Sequence, residues 1–129
     1  MSALVVDTSS WILYLNQGGR ADWIDEAMAE ARVHLPLVVA AELLSGKLKP
    51  REREALSLML ERLPPCGADF AHWARVGELR AALQAKGLHV STPDAHVAQC
   101  ALDLGGALLT EDAVFAHIAR HRPLRLALA

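Results

Sequence analysis

The chain has 129 residues, 53 % of them hydrophobic, and its 13 basic and 15 acidic side chains give a net charge of −2. This length predicts one domain, residues 1–129, with a single core. No apolar stretch reaches the roughly 18 residues of a membrane helix and the start shows no signal-peptide pattern, so we expect a soluble, cytoplasmic protein. Only six residues are aromatic, which disfavours a pure RNA-binding module that stacks bases.

Short apolar runs alternate with longer amphipathic ones in the first half of the chain, as in a parallel sheet whose strands are connected by helices. A capping residue at Thr8 and a stop at Gly18 delimit the first helix. The segment around Glu42 is ambiguous, because its length and glycine stop favour a helix while its valines favour a strand. The predicted elements are a strand at 3–6, helices at 8–15 and 21–32, a strand at 33–35 and the Glu42 segment at 36–46.

The second half of the chain continues the same alternation. A Pro-Pro pair ends one helix and places Cys66 in a turn, Thr92 is predicted to cap another helix, and Gly105 stops it. The order predicts an α/β fold with a central parallel sheet. The predicted elements are helices at 50–63 and 69–85, at most a brief strand at 88–90, a helix at 92–104, a strand at 107–110, a short helix at 113–120 and a strand at 124–128.

Four carboxylates lie where apolar segments end or helices begin, positions that acids rarely occupy without a partner or a metal. Asp7 ends the first strand and Asp112 follows the 107–110 strand after one residue, so both are expected at the carboxyl edge of the sheet, where open α/β folds bind ligands. Glu42 interrupts an apolar run, and Asp94 follows a Thr-Pro helix start. A set of carboxylates suits Mg²⁺, which prefers oxygen ligands.

Each of these acids also has a purely structural interpretation. Asp7 and Asp94 are equally consistent with helix caps or first-turn residues, and Asp112 is consistent with a turn. Glu42 needs a buried salt-bridge partner if it binds no metal, because its neighbours are apolar. The other acids differ, since many alternate with apolar residues at helical spacing, the pattern of a solvated helix face.

The four acids belong to four short segments that occur in a recognisable order. The segments are Leu4-Val5-Val6-Asp7-Thr8-Ser9, Ala41-Glu42-Leu43-Leu44-Ser45-Gly46, Pro93-Asp94-Ala95-His96-Val97-Ala98 and Leu108-Leu109-Thr110-Glu111-Asp112-Ala113-Val114-Phe115. They resemble the motifs of PIN-domain ribonucleases, in particular the VapC-type toxins of bacterial toxin-antitoxin pairs. Motif order, spacing and total length agree along the whole chain. Each motif alone is weakly specific, whereas the four in order are fairly specific.

The resemblance implies a three-layer α/β/α sandwich and an endoribonuclease that uses Mg²⁺ or Mn²⁺ to hydrolyse single-stranded or loop RNA. It matches Ser9 and Thr110 to small hydroxyl positions that line the pocket and contribute to cofactor binding. It also implies a VapB-like antitoxin as partner and the homodimer usual in the family. The implied catalytic and metal-binding residues are Asp7, Glu42, Asp94 and Asp112.

One position departs from the family pattern. The last motif commonly has a further Asp just before its Phe, and this chain has Val114 before Phe115. A second metal would then depend on Asp112 alone, so one-metal and two-metal chemistry both stay open. The departure also supports a second hypothesis, in which the protein is a PIN-like binding or scaffolding subunit without catalytic activity.

Other functional classes fit the sequence less well. A phosphatase of the haloacid-dehalogenase type needs a second Asp where Ser9 stands, and a two-component receiver needs acids and a late Lys that the chain does not place correctly. His117 and His121 have a spacing that suits zinc, but no Glu completes the motif. The cysteines Cys66 and Cys100 show no zinc spacing.

A group of basic residues follows Glu42 closely enough to flank the acidic pocket. Their alternation with glutamates favours a solvated charged face over a surface for RNA phosphates. The group comprises Lys47, Lys49, Arg51 and Arg53.

Overall fold

The computed structural model describes residues 2–128 and contains a five-stranded sheet flanked by helices. The strands are β1 (Leu4–Val6), β2 (Val33–Pro36), β3 (Pro65–Cys66), β4 (Ala107–Leu109) and β5 (Arg125–Leu126). The helices are α1 (Thr8–Gln17), α2 (Ala21–Ala29), α3 (Leu37–Leu44), α4 (Pro50–Glu61), α5 (Phe70–Ala85), α6 (Thr92–Leu104) and α7 (Val114–Ala119).

All strand pairs are parallel, and the strand order is β3-β2-β1-β4-β5. The central strand β1 pairs Leu4 with Val33 of β2 on one side and with Ala107 of β4 on the other. The strands β2 and β3 therefore extend the sheet on one side of β1, and β4 and β5 extend it on the other side. The gap between β1 and β4 is the switch point at which open α/β sheets bind ligands.

Apolar residues of the sheet and of both helix layers form the core. Val5 and Val6 of β1 are fully buried, as is Leu108 of β4. Strands that are covered on both faces appear in a sequence as continuous apolar runs, as these do. Trp11 of α1 and Phe115 of α7 are the two largest fully buried side chains. These two helices start at the carboxyl edge, so core packing fixes the loops in which Asp7 and Asp112 lie.

The ambiguous Glu42 segment is helical. In α3 the buried residues are Val39 and Leu43, while Ala41 between them is exposed. A strand would place all three on one face, whereas a helix turns Ala41 away from the other two. Val39 lies in the core and Val38 packs against it, so tertiary contacts outweigh the preference of valine for strands.

Two local predictions were wrong, and a third segment, predicted as at most a brief strand, is not a strand. Residues 88–90 form no strand, because the N–H of Leu88 donates to Leu83 of α5 and Arg80 donates to the carbonyl of Val90. Cys66 lies in β3, which pairs with β2, instead of a turn. Ser91 and not Thr92 caps α6, since its Oγ accepts the N–H of the third helical residue.

Helix ends differ from the predictions by a few residues. The first helix extends to Gln17, and the second ends at Ala29 because Ala31 adopts a left-handed backbone with φ of 55°. Among the aromatic residues, Trp23, Phe70 and Trp73 are exposed instead of belonging to the core. Within residues 2–128, each helix is too short or too polar to cross a membrane.

Candidate active site

Asp7 follows β1 and occupies the N-cap position of α1, yet its side chain makes no capping hydrogen bond. The residue is 7 % exposed, and its Oδ2 accepts hydrogen bonds from the hydroxyls of Ser9 and Thr110, both at 2.9 Å. The pKa of Asp7 is raised overall. Burial is the largest cause, the two hydroxyls lower the pKa, and the charge of Asp112 raises it. A helix cap alone does not account for this environment.

The two hydroxyls also hold the loop after β4. Ser9 Oγ accepts the N–H of Glu111 and Thr110 Oγ1 accepts the N–H of Asp112, each at 3.0 Å, and the hydroxyl oxygens are 3.3 Å apart. Asp112 Oδ1 accepts the N–H of Val114 at 3.0 Å, where α7 begins. These bonds tie the start of α1 to the end of β4, so both loops have one fixed arrangement.

Asp94 lies in the first turn of α6, where the helix dipole favours a negative charge by about 0.3 to 1 kcal/mol. Its N–H donates to Ser91 Oγ at 3.2 Å. The pKa of Asp94 is raised overall. Burial is the largest cause, the hydrogen bond with Ser91 lowers the pKa, and the charges of Asp112, Asp7 and Glu42 raise it. An isolated first-turn residue would not feel three other carboxylates.

Glu42 lies on α3 with an exposed side chain, and its Oε1 accepts a hydrogen bond from Thr8 Oγ1 at 2.7 Å. The expectation that it needs a buried salt-bridge partner is therefore wrong. The apolar residues around it in sequence, Val39 and Leu43, face the core while Glu42 faces solvent, because consecutive side chains of a helix point in different directions around its axis.

The four predicted acids come from four different elements and act on one space. Asp7 and Asp112 follow β1 and β4, and Asp94 and Glu42 lie on α6 and α3. The pKa of Asp94 is affected by all three others. Within residues 2–128, no three of these carboxylates bring oxygens within 4.8 Å of one another; the one group of three ligand atoms this close is formed by His72, His96 and Cys100.

Glu111 is a fifth acid at this edge, and sequence reasoning missed its role. Its carboxylate accepts two hydrogen bonds from Arg20, at 2.8 and 2.7 Å, and one from Ser10 Oγ at 2.9 Å. The bond with Arg20 lowers the pKa of Glu111. No signal in the sequence links these residues, which are 91 positions apart. The pairing occupies Glu111 with a guanidinium and sets it apart from the other four acids.

The basic group after α3 has exposed side chains, as predicted. Arg53 binds the backbone carbonyls of Leu44 and Gly46 and so satisfies the C-terminal end of α3. Its guanidinium therefore has a structural role next to the helix that carries Glu42.

The fold and the order of the acidic motifs have counterparts among known proteins. Residues 4–121 match the PIN domain family. The chain belongs to the PIN-domain family. This PIN domain is 30 % identical over 130 residues to the VapC ribonuclease Mb1587 of Mycobacterium bovis and to ribonuclease VapC11 of Mycobacterium tuberculosis, with 96 % of this chain and 97 % of each relative covered. The resemblance to VapC-type proteins is therefore confirmed.

Solved structures share the fold of this PIN domain at lower sequence identity. The DNA-bound VapBC of Salmonella typhimurium matches with a TM-score of 0.79 and 22 % identity, covering 98 % of this chain and 97 % of that chain. VapBC2 of Rickettsia felis, bound to a promoter DNA fragment, matches with a TM-score of 0.75 and 22 % identity, covering 96 % of each chain. The predicted α/β fold with a central parallel sheet is confirmed.

The donor set of the PIN-domain edge fits a hard divalent cation. It consists of oxygens alone, and two of the carboxylates, Asp7 and Asp94, have pKa values raised by burial and by neighbouring charge. A cation would relieve both effects. Mg²⁺ prefers oxygen ligands of this kind and keeps several of its waters when it binds to proteins.

Proposed function

We propose that this PIN domain, residues 1–129, is a Mg²⁺-dependent endoribonuclease that hydrolyses RNA phosphodiester bonds and acts as the toxin of a type II toxin-antitoxin pair. Mn²⁺ has the same ligand preference and is expected to replace Mg²⁺. The observation that carries the proposal is the pair Asp7 and Asp112, which follow the neighbouring strands β1 and β4 at the switch point of the sheet, with the Asp7 carboxylate held by Ser9 and Thr110. The VapC ribonucleases to which the chain is similar supply the reaction class.

The residues of the edge would hold the cation and orient it toward substrate. Asp7 is fixed by the hydroxyls of Ser9 and Thr110, so its carboxylate is already in place before a ligand arrives. Asp94 is oriented by the first turn of α6 and is favoured in its ionised form by the helix dipole. When bound, Mg²⁺ supplies a nucleophilic water and offsets the charge that develops on the phosphate.

The second candidate function is a PIN-like scaffold without activity, favoured by Val114 at the position where the family commonly has another Asp. Purified protein incubated with single-stranded RNA and Mg²⁺ separates the two functions. A nuclease cuts internal bonds, and a chelator stops the reaction. RNA that is bound and stays whole under the same conditions would favour the scaffold.

Magnesium should stabilise the folded protein in a pH-dependent way. Because the pKa values of Asp7 and Asp94 are raised, these two groups contribute to the stability of the metal-free fold. The contribution is fully present below their ordinary pKa of 3.8 and is lost as pH rises through the raised values. Mg²⁺ binds the ionised carboxylates and restores stability by mass action, by about 2.7 kcal/mol at 100 times its dissociation constant. The gain in thermal midpoint should grow from acidic to neutral pH.

The comparison is made with and without Mg²⁺ at each pH, because other acids titrate in the opposite sense. The lowered pKa of Glu111, for example, stabilises the fold above the ordinary value and is lost on acidification in both samples. An equal gain at acidic and neutral pH, or none at millimolar Mg²⁺, would contradict a site made of these carboxylates.

The proposed partner is a VapB-like antitoxin, since the solved structures that share the fold include VapBC complexes. The surface offers apolar grooves on both sides of α4. One, of about 360 Å³, lies between α1 and α4, and another, of about 250 Å³, lies between α3 and α4. Leu15 lines the first groove and is exposed, as are Ile12 on α1 and Leu58 on α4, and such side chains suit the apolar residues of a bound segment.

The antitoxin should also place an Arg or Lys among Asp7, Glu42, Asp94 and Asp112. A guanidinium pairs bidentately with carboxylates and would compete with Mg²⁺. Removing that one basic residue from the antitoxin should relieve inhibition more than it weakens binding, because the groove contacts remain. Cleavage assays of the co-purified complex at increasing Mg²⁺ concentration measure this competition. Inhibition that does not change with Mg²⁺ concentration would contradict it. The homodimer stays a prediction, to be measured by sedimentation.

A further inference from the structure

A buried cluster of two imidazoles and two thiols joins β3, α5 and α6, and the proposed nuclease chemistry uses none of them. Cys66 lies on β3, His72 on α5, and His96 and Cys100 on α6. Their exposed fractions are 9 %, 2 %, 0 % and 0 %. Cys66 lies close enough to Cys100 for that thiol to lower the pKa of Cys66. Sequence reasoning missed the cluster because only His96 and Cys100 are close in sequence.

The hydrogen bonds of the cluster assign its tautomers. The N–H of Val38 can only donate, so His96 Nε2, 3.4 Å away, is the acceptor and His96 carries its proton on Nδ1. That proton is donated to His72 Nε2 at 2.6 Å. His72 then carries its own proton on Nδ1, which donates to Asp103 Oδ2 at 3.0 Å. The lone pair of His72 Nε2 therefore faces the centre of the cluster.

We propose that this cluster is a structural zinc site. Its ligands are His72 Nε2, His96 Nδ1 and Cys100 Sγ, which lie within 4.8 Å of one another, and Cys66 Sγ, which lies outside that group and moves in as the fourth. Two imidazoles and two thiolates are a common ligand set of closed tetrahedral Zn²⁺ sites. On binding, the His96 proton moves from Nδ1 to Nε2 and gives up the long contact with Val38. The two thiol protons leave to solvent, so that Zn²⁺ and two thiolates add no net charge to the interior.

The observed distances are close to those of such a site. Tetrahedral Zn²⁺ separates two nitrogen ligands by about 3.3 Å and a nitrogen from a sulfur by about 3.6 Å. The two imidazole nitrogens are 2.6 Å apart, and Cys100 Sγ is 4.0 Å from His72 Nε2 and 3.9 Å from His96 Nδ1. His96 and Cys100 are four residues apart on one helix face, so a small shift of His72 on α5 opens the space.

The surroundings hold the His96 ring in place. Trp73 stacks on it with a centroid distance of 4.4 Å and an interplanar angle of 11°. Gly67 passes so close that a Cβ there would lie 2.4 Å from His96 Cε1, and its φ of 96° also favours glycine. Trp73 is therefore a fluorescent reporter in direct contact with a proposed ligand.

Asp103 is the positioning residue of the site. Metal-bound imidazoles commonly donate their second N–H to a carboxylate, which fixes the tautomer and the ring orientation. Asp103 does this for His72 and is itself held by Arg75, at 2.9 Å, and by Gln99, at 2.8 Å. These hydrogen bonds outweigh burial, which raises the pKa of Asp103, and leave it at about 2. The carboxylate is thus ionised and committed to His72.

The test is a titration of the reduced, metal-free full chain with Co²⁺, followed by displacement with Zn²⁺. We expect one equivalent of Co²⁺ to produce a thiolate-to-cobalt charge-transfer band in the near ultraviolet and to quench Trp73. Zn²⁺ should abolish the band, and an excess of Mg²⁺ should leave it unchanged. A folded wild-type protein that gives no such band at stoichiometric Co²⁺ would overturn the proposal, whatever the variants do.

Variants assign the band to the cluster. Cys100→Ser should weaken it and Cys66→Ser combined with Cys100→Ser should remove it, and Asp103→Asn, which changes a partly exposed residue and spares the core, should weaken Co²⁺ affinity about 10- to 100-fold. Arg75→Gln is the matched control, because it removes the salt bridge and leaves the bond between Asp103 and His72. His117→Gln and Asp7→Asn should keep the band, which separates this site from the surface histidines and from the acids. A band of full intensity in Cys100→Ser, or any band in the double variant, would also overturn the proposal.

Discussion

Replacing Asp7 or Asp94 with Asn should lower Mg²⁺-dependent RNA cleavage by about 10²- to 10³-fold while the fold stays intact. A metal at a phosphoryl site stabilises the transition state by several kcal/mol, and each 1.36 kcal/mol corresponds to a factor of ten in rate. Asn keeps the shape of Asp and a carbonyl oxygen that still accepts the hydroxyls around Asp7, but it loses the charge that holds the cation. Cleavage rates and circular dichroism measure the two effects separately.

Glu42→Gln and Asp112→Asn should act in the same direction. The matched controls are acids outside the shared space. Asp22→Asn and Glu78→Gln change exposed helix positions and should be near neutral. Glu111→Gln is a nearer control, since its carboxylate is paired with Arg20 and lies in the same loop as Asp112. Wild-type cleavage by both Asp7→Asn and Asp94→Asn would show that the assigned acids are not the site.

Gly106→Ala should destabilise the protein by about 1 to 3 kcal/mol, the usual cost of forcing extra volume into a packed interior. A Cβ at this position would lie 2.5 Å from the backbone oxygen of Ala3, and backbone cannot move aside as a flexible side chain can. Ala107 donates its N–H to the same oxygen, so the change would push β4 away from β1. Thermal midpoints should fall by about 4 °C per kcal/mol in a domain of this size.

The opposite result is expected for Gly77→Ala, a glycine in the middle of α5 with nothing within 4 Å of the added methyl. Alanine in a helix interior is favoured over glycine by about 0.5 to 1 kcal/mol, so this variant should be more stable than wild type. Cleavage should fall in Gly106→Ala, because Asp7 and Thr110 directly follow β1 and β4, the two strands that this change pushes apart. Cleavage should stay unchanged in Gly77→Ala. Equal stability of the two variants would contradict the close approach of β1 and β4.

Local patterns predicted the elements that carry the acids. The apolar runs before Asp7 and Asp112 are the central strands because both faces of those strands are covered, which leaves a continuous hydrophobic signature. The N-terminal signals before Asp94 placed it in the first turn of α6, one residue from the predicted cap. For Glu42 the pattern was ambiguous, since valines suit strands and helices alike when a core covers them.

Contacts between distant residues were beyond the reach of sequence patterns. The pairing of Arg20 with Glu111 and the bond between His72 and His96 depend on which helices become neighbours after the sheet has formed. Two-residue strands such as β3 also have no periodicity that a sequence pattern could show, and the Pro-Pro pair before Cys66 predicted a turn there instead. Burial of imidazoles and thiols follows from packing and not from any local preference.

The hydroxyl bonds at Asp7 have a consequence for biosynthesis. Thr110 lies 103 residues after Asp7, and β4 must insert beside β1 before this bond can form. A ribosome makes the chain from its N-terminus, so Asp7, Glu42 and Asp94 emerge while the loop that completes their surroundings is still unmade. Contacts over such separations also close slowly, because the intervening chain must first be ordered. If the chain is the proposed nuclease, its site is therefore expected to stay incomplete until the last strands have been synthesised and paired.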